Sequence, residues 1–155
     1  MPRPTTATFW SSGSHESLTK VILICGSGGS CESTDFERLA ERLERTSLSA
    51  VYCLDSASER LAESIAARHD LTVQPLSSSA DDPSDLMNET AAANAGRTIV
   101  VVAEARINSA LISLWLGVPR DVGVTVAQNH FAVNSVVFHG NRVVLETVND
   151  LCHEI

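Results

Sequence analysis

The chain has 155 residues, of which 44% are hydrophobic and 19% are charged, and its formal net charge is −8. This length fits one domain with a substantial buried core. An extended nucleic-acid surface is excluded, because phosphate neutralisation needs clustered Lys and Arg. The chain has only 11 such residues. Their densest run alternates with glutamates, as on a solvated helix face.

The chain is predicted to consist of a flexible polar arm, residues 1–18, and a single domain, residues 19–155. The arm lacks the apolar core of a signal peptide, and no apolar stretch approaches the roughly 18 residues of a membrane span. The four cysteines show no spacing typical of a disulfide framework or a metal site. These features predict a cytoplasmic protein with reduced thiols, no metal, no other cofactor and no membrane partner.

Strands and helices alternate along the first half of the chain. The short apolar runs at 21–24 and 50–54 are typical of strands buried on both faces. Apolar residues at helical spacing predict a first helix with Thr34 or Asp35 as its N-cap and a second helix over about 57–68.

The second half continues this alternation and ends in a hairpin. The predicted elements are a strand at 71–73, a helix at 84–95, a strand at 98–102, a helix at 106–116 and two hairpin strands at 132–138 and 142–148. The pattern predicts the α/β class, a three-layer α/β/α sandwich around a mostly parallel sheet. Ligands of such sheets bind beyond the carboxyl ends of the strands, so the loops to inspect begin near Cys25, Cys53, Pro75 and Ala103.

The glycine- and serine-rich stretch after the first strand invites a nucleotide-binding interpretation. Counted as a dinucleotide fingerprint from Gly26, the third glycine position holds Cys31, and no Gly-Lys-Ser/Thr follows. The stretch is more typical of a plain strand-to-helix loop, and no nucleotide cofactor is predicted.

Three segments of the chain, in this order and spacing, resemble the histidine phosphatase (phosphoglycerate mutase-like) superfamily. They are VYCLD at 51–55 followed by LAESIA at 61–66, TIVVVAE at 98–104 followed by apolar positions up to the Gly-Val-Pro at 117–119, and Asn-Ser-Val at 134–136 with Asn149, Asp150 and His153 near the end. The resemblance covers most of residues 20–153 and implies a phosphoglycerate mutase-like fold.

The resemblance also implies where phosphoryl-transfer residues should lie, and this sequence departs from the family there. The first strand should end in Arg-His-Gly but ends in Cys25-Gly26-Ser27. The phosphate-binding arginine after the second strand falls on Ala57, and the phosphate-binding histidine after the fourth strand falls on Glu104. The acidic proton donor falls near Ser78, with Asp81 and Asp82 close by.

These departures change the chemistry that the pocket supports. A phosphoryl-transfer site surrounds a dianion with cations and hydrogen-bond donors. Neutral side chains in their place no longer attract phosphate, and a carboxylate repels it. The sequence therefore predicts the fold of the family without its phosphatase activity.

Glu104 is the main candidate for a catalytic acid or base, because a carboxylate just past an apolar strand can be partly desolvated. Its alternative role is to cap, or to lie in the first turn of, the helix that follows. Cys25 is a candidate nucleophile across the same pocket, although a small buried apolar residue is the commoner role for such a cysteine. The candidate ligand-binding residues are Gly26, Ser27, Cys53, Asp55, Ala57 and His130.

Two functional hypotheses follow. In the first, the chain is a pseudoenzyme that binds a small molecule or a protein. In the second, the emptied pocket serves a dehydratase, isomerase or cyclase of a metabolic or biosynthetic pathway, with Glu104 as acid/base. Both favour a small neutral or cationic metabolite over an anion, and a homodimer through the sheet edge or Trp115 is a further hypothesis.

Overall fold

A computed structural model describes residues 18–26, 33–76, 82–119 and 121–154, so residues 1–17 of the predicted arm lie outside the described part of the chain. The strands are β1 (Thr19–Cys25), β2 (Ala50–Cys53), β3 (Val73–Pro75), β4 (Thr98–Ala103), β5 (Val133–His139) and β6 (Arg142–Asp150). The helices are α1 (Thr34–Glu44), α2 (Glu59–Arg68), α3 (Pro83–Ala93) and α4 (Ala105–Trp115), with 3₁₀ turns at Ser56–Ser58 and Cys152–Glu154.

The six strands form one sheet in the order β3-β2-β4-β1-β5-β6. β1 and β2 both pair in parallel with β4, and β3 pairs in parallel with β2. β5 runs antiparallel to β1, and β6 antiparallel to β5. The α/β class, the mostly parallel sheet and the C-terminal hairpin predicted from the sequence are confirmed.

Helices cover both faces of the sheet. The face that carries Ile22 and Ile24 packs against α1 and α2, and the face that carries Val21 and Leu23 packs against α3 and α4. Because β1 is buried on both sides, its sequence is a continuous apolar run rather than an alternating one. The three-layer sandwich is confirmed.

Two helix starts differ from the sequence-based boundaries because a polar side chain fixes the first turn. The N-cap of α1 is Ser33, not Thr34 or Asp35, and its hydroxyl accepts a hydrogen bond from the backbone N–H of Phe36 at 3.1 Å. α3 begins at Pro83, not at residue 84, because Asp82 caps it.

The stretch around the second predicted helix and third strand also differs. The expected start near Ala57 is a 3₁₀ turn, and the α-helix begins at Glu59. β3 lies at Val73–Pro75 instead of 71–73, because the chain first turns at Asp70, which adopts a positive φ of 56°. In the described part of the chain, no helix combines the length and the apolar character that a membrane crossing requires.

Candidate functional site

The carboxyl ends of β1, β2 and β4 lie side by side at one edge of the sheet. Cys25 stands in register with Ala103, and Cys53 with Val102. The hydrogen bonding continues one residue beyond both strands that flank β4. The N–H of Gly26 donates to the carbonyl of Ala103 at 2.9 Å, and the N–H of Leu54 donates to the carbonyl of Val102 at 3.0 Å. The loops that the sequence singled out after these strands therefore meet.

Gly26 is buried and fills the space between β4 and the turn after β2. A Cβ at this position would lie 2.7 Å from Cγ1 of Val102, 2.9 Å from Oγ of Ser58 and 3.2 Å from Cβ of Ser58. Contacts below 3.0 Å are essentially never made by real Cβ atoms. Ser58 is itself fully buried, and its hydroxyl has no hydrogen-bond partner within the described residues. No side chain fits at Gly26 without displacing these neighbours.

Asp55 ties two of the converging loops together. One carboxylate oxygen accepts from the N–H of Ser58 at 2.8 Å, and the other accepts from the N–H of Glu104 at 2.9 Å. The first bond shapes the 3₁₀ turn after β2, and the second fixes the start of α4. The carboxylate of this candidate ligand-binding residue thus holds the backbone of the edge in place.

Glu104 occupies the N-cap position of α4. Its carbonyl accepts from the N–H groups of Ile107 and Asn108, whereas its side chain makes no capping bond. The carboxylate is 29% exposed and pairs with the guanidinium of Arg106 at 2.9 Å, on a side chain that is 87% exposed. The residue is therefore positioned at the edge, with a partly covered side chain whose carboxylate is paired with a cation.

The two edge cysteines have the surroundings of buried apolar residues. Cys25 is fully buried, and its thiol lies 3.9 Å from the carbonyl oxygen of Gln128. The thiol of Cys53 donates to the carbonyl of Asp55 at 2.8 Å. Burial raises the pKa of the Cys53 thiol, and the nearby carboxylates of Asp55 and Glu59 act in the same direction. A raised pKa lowers the thiolate fraction on which nucleophilic reactivity depends.

The remaining candidates are spread around this edge. Ala57 is exposed on the 3₁₀ turn, and Ser27 lies outside the described residues, as do Ser78 and Asp81. His130 is half-buried, with its ring centroid 3.9 Å from that of Phe131. Phe131 in turn donates its N–H to the carbonyl of Cys25 at 3.0 Å. Hydrogen bonds thus link Asp55 with Glu104 and Gly26 with Ala103, and His130 approaches the Cys25 side through Phe131.

The polar residues of the C-terminal segments form structural networks. The buried amide of Asn134 donates to the carbonyl of Leu23 and pairs with the amide of Gln128. Its oxygen also accepts from the N–H of Asn149, which has a positive φ of 54°. Asp150 binds the guanidinium of Arg42 at 2.8 Å.

Sequence reasoning missed Ser58 and Gln128. Nothing in the pattern around Ser58 signals its contact with Gly26, because the two residues are distant in sequence. For Gln128 a signal existed: its partner Asn134 is a polar residue inside an apolar strand, and a buried amide requires partners.

Among the described residues, cavities lie on both sides of this edge. A cleft of about 560 Å³ opens between the end of β2, α2 and β3, and the described residues of its walls include Cys53, Asp55, Glu59 and Glu63 but no Lys, Arg or His. A larger groove of about 910 Å³ lies on the outer side of α4. Within the described ranges, no three His, Cys, Asp or Glu side chains are grouped so as to hold a metal ion.

This architecture is similar to that of known phosphatases and mutases. The model of the histidine phosphatase superfamily (branch 1) matches residues 83–151. Among solved structures, phosphoserine phosphatase from Entamoeba histolytica aligns with a TM-score of 0.68 at 14% identity, covering 88% of this chain and 100% of that one. Phosphoglycerate mutase from Bacillus anthracis aligns with a TM-score of 0.65 at 12% identity, covering 89% and 96%.

A mycobacterial glucosyl-3-phosphoglycerate phosphatase aligns with a TM-score of 0.59 at 14% identity, covering 84% of this chain and 98% of that one. No protein with a curated description matches the chain. The chain has the fold of the histidine phosphatase superfamily, and the resemblance seen in its sequence is confirmed.

Proposed function

We propose that this chain is a non-phosphatase protein of the histidine phosphatase fold, a pseudoenzyme that binds a small molecule or a protein. The observation that carries the proposal is the packing at Gly26, where the resemblance expects the phosphate-accepting histidine. Val102 and Ser58 stand 2.7 and 2.9 Å from the position of a Cβ. Position 26 therefore holds glycine instead of histidine, and its surroundings leave no room for a side chain.

The charges at the edge support the same conclusion. Asp55 and Glu104 stand where the loops converge, and the adjacent cleft adds Glu59 and Glu63, with no cation among the wall residues that the structure describes. Arg106, the cation nearest in sequence, is largely in solvent and already paired with Glu104. Carboxylates at a partly desolvated edge repel a phosphate dianion and attract a neutral or cationic ligand.

The test compares ligand classes by thermal unfolding. A ligand that binds only the folded state raises the midpoint in proportion to RT ln(1 + [L]/Kd). Phosphoserine and 3-phosphoglycerate, which appear in the names of structural neighbours, are compared with alkylamines and neutral metabolites. The expected result is no stabilisation by either phosphoester. A midpoint that rises in a saturable way with phosphoserine would contradict the proposal.

A second candidate function is acid/base catalysis by Glu104 in a dehydratase, isomerase or cyclase. The position of the residue favours it: the N–H of Glu104 is fixed by Asp55, its carboxylate is 29% exposed, and the large groove begins at the next residues of α4. Glu104→Gln separates the two functions, with Glu41→Gln on the exposed surface of α1 as the matched control. Catalysis by Glu104 requires that only the first variant abolishes turnover of a bound metabolite, whereas a binding module tolerates both.

The homodimer hypothesis has two candidate surfaces. Trp115 packs edge-on against Phe138, with ring centroids 5.7 Å apart and an interplanar angle of 86°, which supports a core role for it. The β6 edge of the sheet is therefore the better candidate surface. Gel filtration over a range of protein concentrations tests it, and an unchanging monomer would remove the hypothesis.

A further inference from the structure

The groove on α4 has two apolar walls. One wall is a face of α4, formed by Ile107, Ala110 and Leu114. The other is formed by four valines of the segment that leads from α4 to β5: Val118, Val122, Val124 and Val126. Its volume of about 910 Å³ lies within the roughly 300–1,000 Å³ typical of small-molecule pockets.

The hydrogen bonds of the segment explain why a hollow forms there. The N–H of Val118 donates to the carbonyl of Ser113, and the N–H of Val126 donates to the hydroxyl of Ser109, both at 3.0 Å. Ser109 and Ser113 are about one helical turn apart, roughly 5–6 Å along the axis. Residues 119–125 between the two attachment points can span more than about 20 Å. The connecting loop is therefore far longer than the gap, so Val122 and Val124 need not pack directly against α4, and each is about half exposed.

The loop presents apolar side chains to solvent. Val122 is 47% exposed, Val124 50% and Leu114 38%. Removing such surface from water is favourable, so a molecule that lies between the loop and the helix is stabilised by covering all three side chains.

One end of the groove is polar, and its charge balance selects the ligand. Asp82, Arg106 and Gln128 line the groove close to the edge of the sheet where Glu104 stands. The guanidinium of Arg106 is paired with Glu104 at 2.9 Å, and Asp82 adds a second carboxylate. Among the described residues at this end, two carboxylates, Asp82 and Glu104, accompany one guanidinium, Arg106, a set that suits an uncharged polar group or an amine better than a carboxylate or phosphate.

The shape of the groove favours a small molecule over a second copy of the chain. It is bounded by α4, by the loop and by the first residues of α3, whereas the surface of a two-fold dimer must be complementary to itself. Among the described residues, the large exposed apolar side chains outside the groove are Leu18, Leu116, Val144 and Val148. The last two lie on the edge strand β6, a surface separate from the groove.

We propose that the α4 groove binds a mainly apolar metabolite whose neutral or amine end lies beside Arg106 and Gln128. This inference rests on the proposed function, since it names the class of small molecule that a non-phosphatase protein of this fold would bind. Val122 and Val124 contact the apolar part of the molecule, and the carboxylates at the sheet edge select against an acidic end.

The test uses the neutral fluorescent probe N-phenyl-1-naphthylamine in titrations of the full chain. Ala110 is exposed on the groove face of α4, so Ala110→Phe places a ring inside the groove without disturbing the core. Ala92→Phe places the same side chain at an exposed position near the end of α3 and is the matched control. We expect saturable binding by the wild type, an affinity about tenfold or more lower for Ala110→Phe, and no change for Ala92→Phe.

Competition with ten-carbon compounds tests the selection at the polar end. Decylamine and decanol are expected to displace the probe at lower concentrations than decanoate. Absence of saturable binding, equal affinity in both variants, or preferential displacement by decanoate would overturn the proposal. So would a change of oligomeric state caused by Ala110→Phe alone, because a second copy would then be the occupant. A phosphatase assay on the same sample keeps the two proposals apart, since turnover of phosphoserine refutes the proposed function and leaves probe binding unaffected.

Discussion

Replacing Gly26 by alanine tests the packing on which the functional account rests. The new methyl group would stand 2.7 Å from Cγ1 of Val102 and 2.9 Å from Oγ of Ser58, where ordinary contacts are 3.4–4 Å. Both neighbours are fully buried, and the β-branched side chain of Val102 is restricted at χ1. Neither can therefore move aside at low cost.

The expected magnitude is the balance of two effects. Overpacking a well-packed core costs about 1–3 kcal/mol, and the lower entropy of the unfolded alanine chain returns about 0.4–1 kcal/mol. We expect Gly26→Ala to lower the free energy of unfolding by about 1–2 kcal/mol, or the melting temperature by about 2–8 °C for a domain of this size. Urea unfolding followed by circular dichroism measures the difference.

A matched control and a compensating variant sharpen the test. A Cβ at Gly123 meets no atom within 4 Å, so Gly123→Ala is expected to leave the stability unchanged or to raise it by up to about 1 kcal/mol. Val102→Ala removes the methyl group nearest to the clash, and the double variant with Gly26→Ala should be less destabilised than the sum of the singles by about 1 kcal/mol. If Gly26→Ala is as stable as Gly123→Ala, the space for a side chain exists and the reasoning is refuted.

Three further predictions concern the carboxylates and thiols. Asp55→Asn places an amide NH₂ against one of two backbone N–H groups and should cost about 1–3 kcal/mol in urea unfolding; an unchanged midpoint would show that the carboxylate does not hold the edge. Hydrogen bonds from the thiol and N–H of Cys152 lower the pKa of Asp150 from 3.8 to about 2, so its contribution is present above about pH 4 and lost as the pH falls through 2. After allowance for solvent screening, Asp150→Asn should cost about 1 kcal/mol at pH 7 and progressively less towards pH 2, and a cost independent of pH would contradict this linkage. With iodoacetamide at pH 8, the exposed Cys152 should be alkylated before the buried Cys53, and rapid labelling of Cys53 in the folded protein would reveal a reactive thiolate instead.

The fold could be predicted well because it depends on patterns of apolar residues that are visible in a single sequence. The apolar runs of β1 and β4 identify strands buried on both faces, and the helical spacing in α1 and α2 identifies the helices that cover one of those faces. Boundaries were less accurate where one side chain decides them, as Ser33 does for α1.

The site was predicted only in outline. The edge of the sheet, and the meeting there of the loops that contain Gly26, Asp55 and Glu104, follow from the order of parallel strands. The role of Asp55 as a link between two loops does not, because its partners are backbone N–H groups with no sequence signature. The proximity of Ser58 to Gly26 could not be predicted from the sequence either, since it depends on how the turn after β2 packs.

The valine-lined groove also escaped the sequence. Val122 and Val124 lie in a segment without helical or strand periodicity, so nothing in their pattern indicates that the loop is attached to α4 at two points. Its existence depends on the bonds that the chain makes to Ser109 and Ser113.

The most direct test of the central claim is the release of inorganic phosphate from phosphoserine by the purified chain. The account predicts a rate equal to that of the buffer blank at every substrate concentration, for the wild type and for Glu104→Gln alike. Saturable release by the wild type, lost on Gly26→Ala but retained in Gly123→Ala, would contradict it and place a working phosphoryl-transfer site at this edge of the sheet.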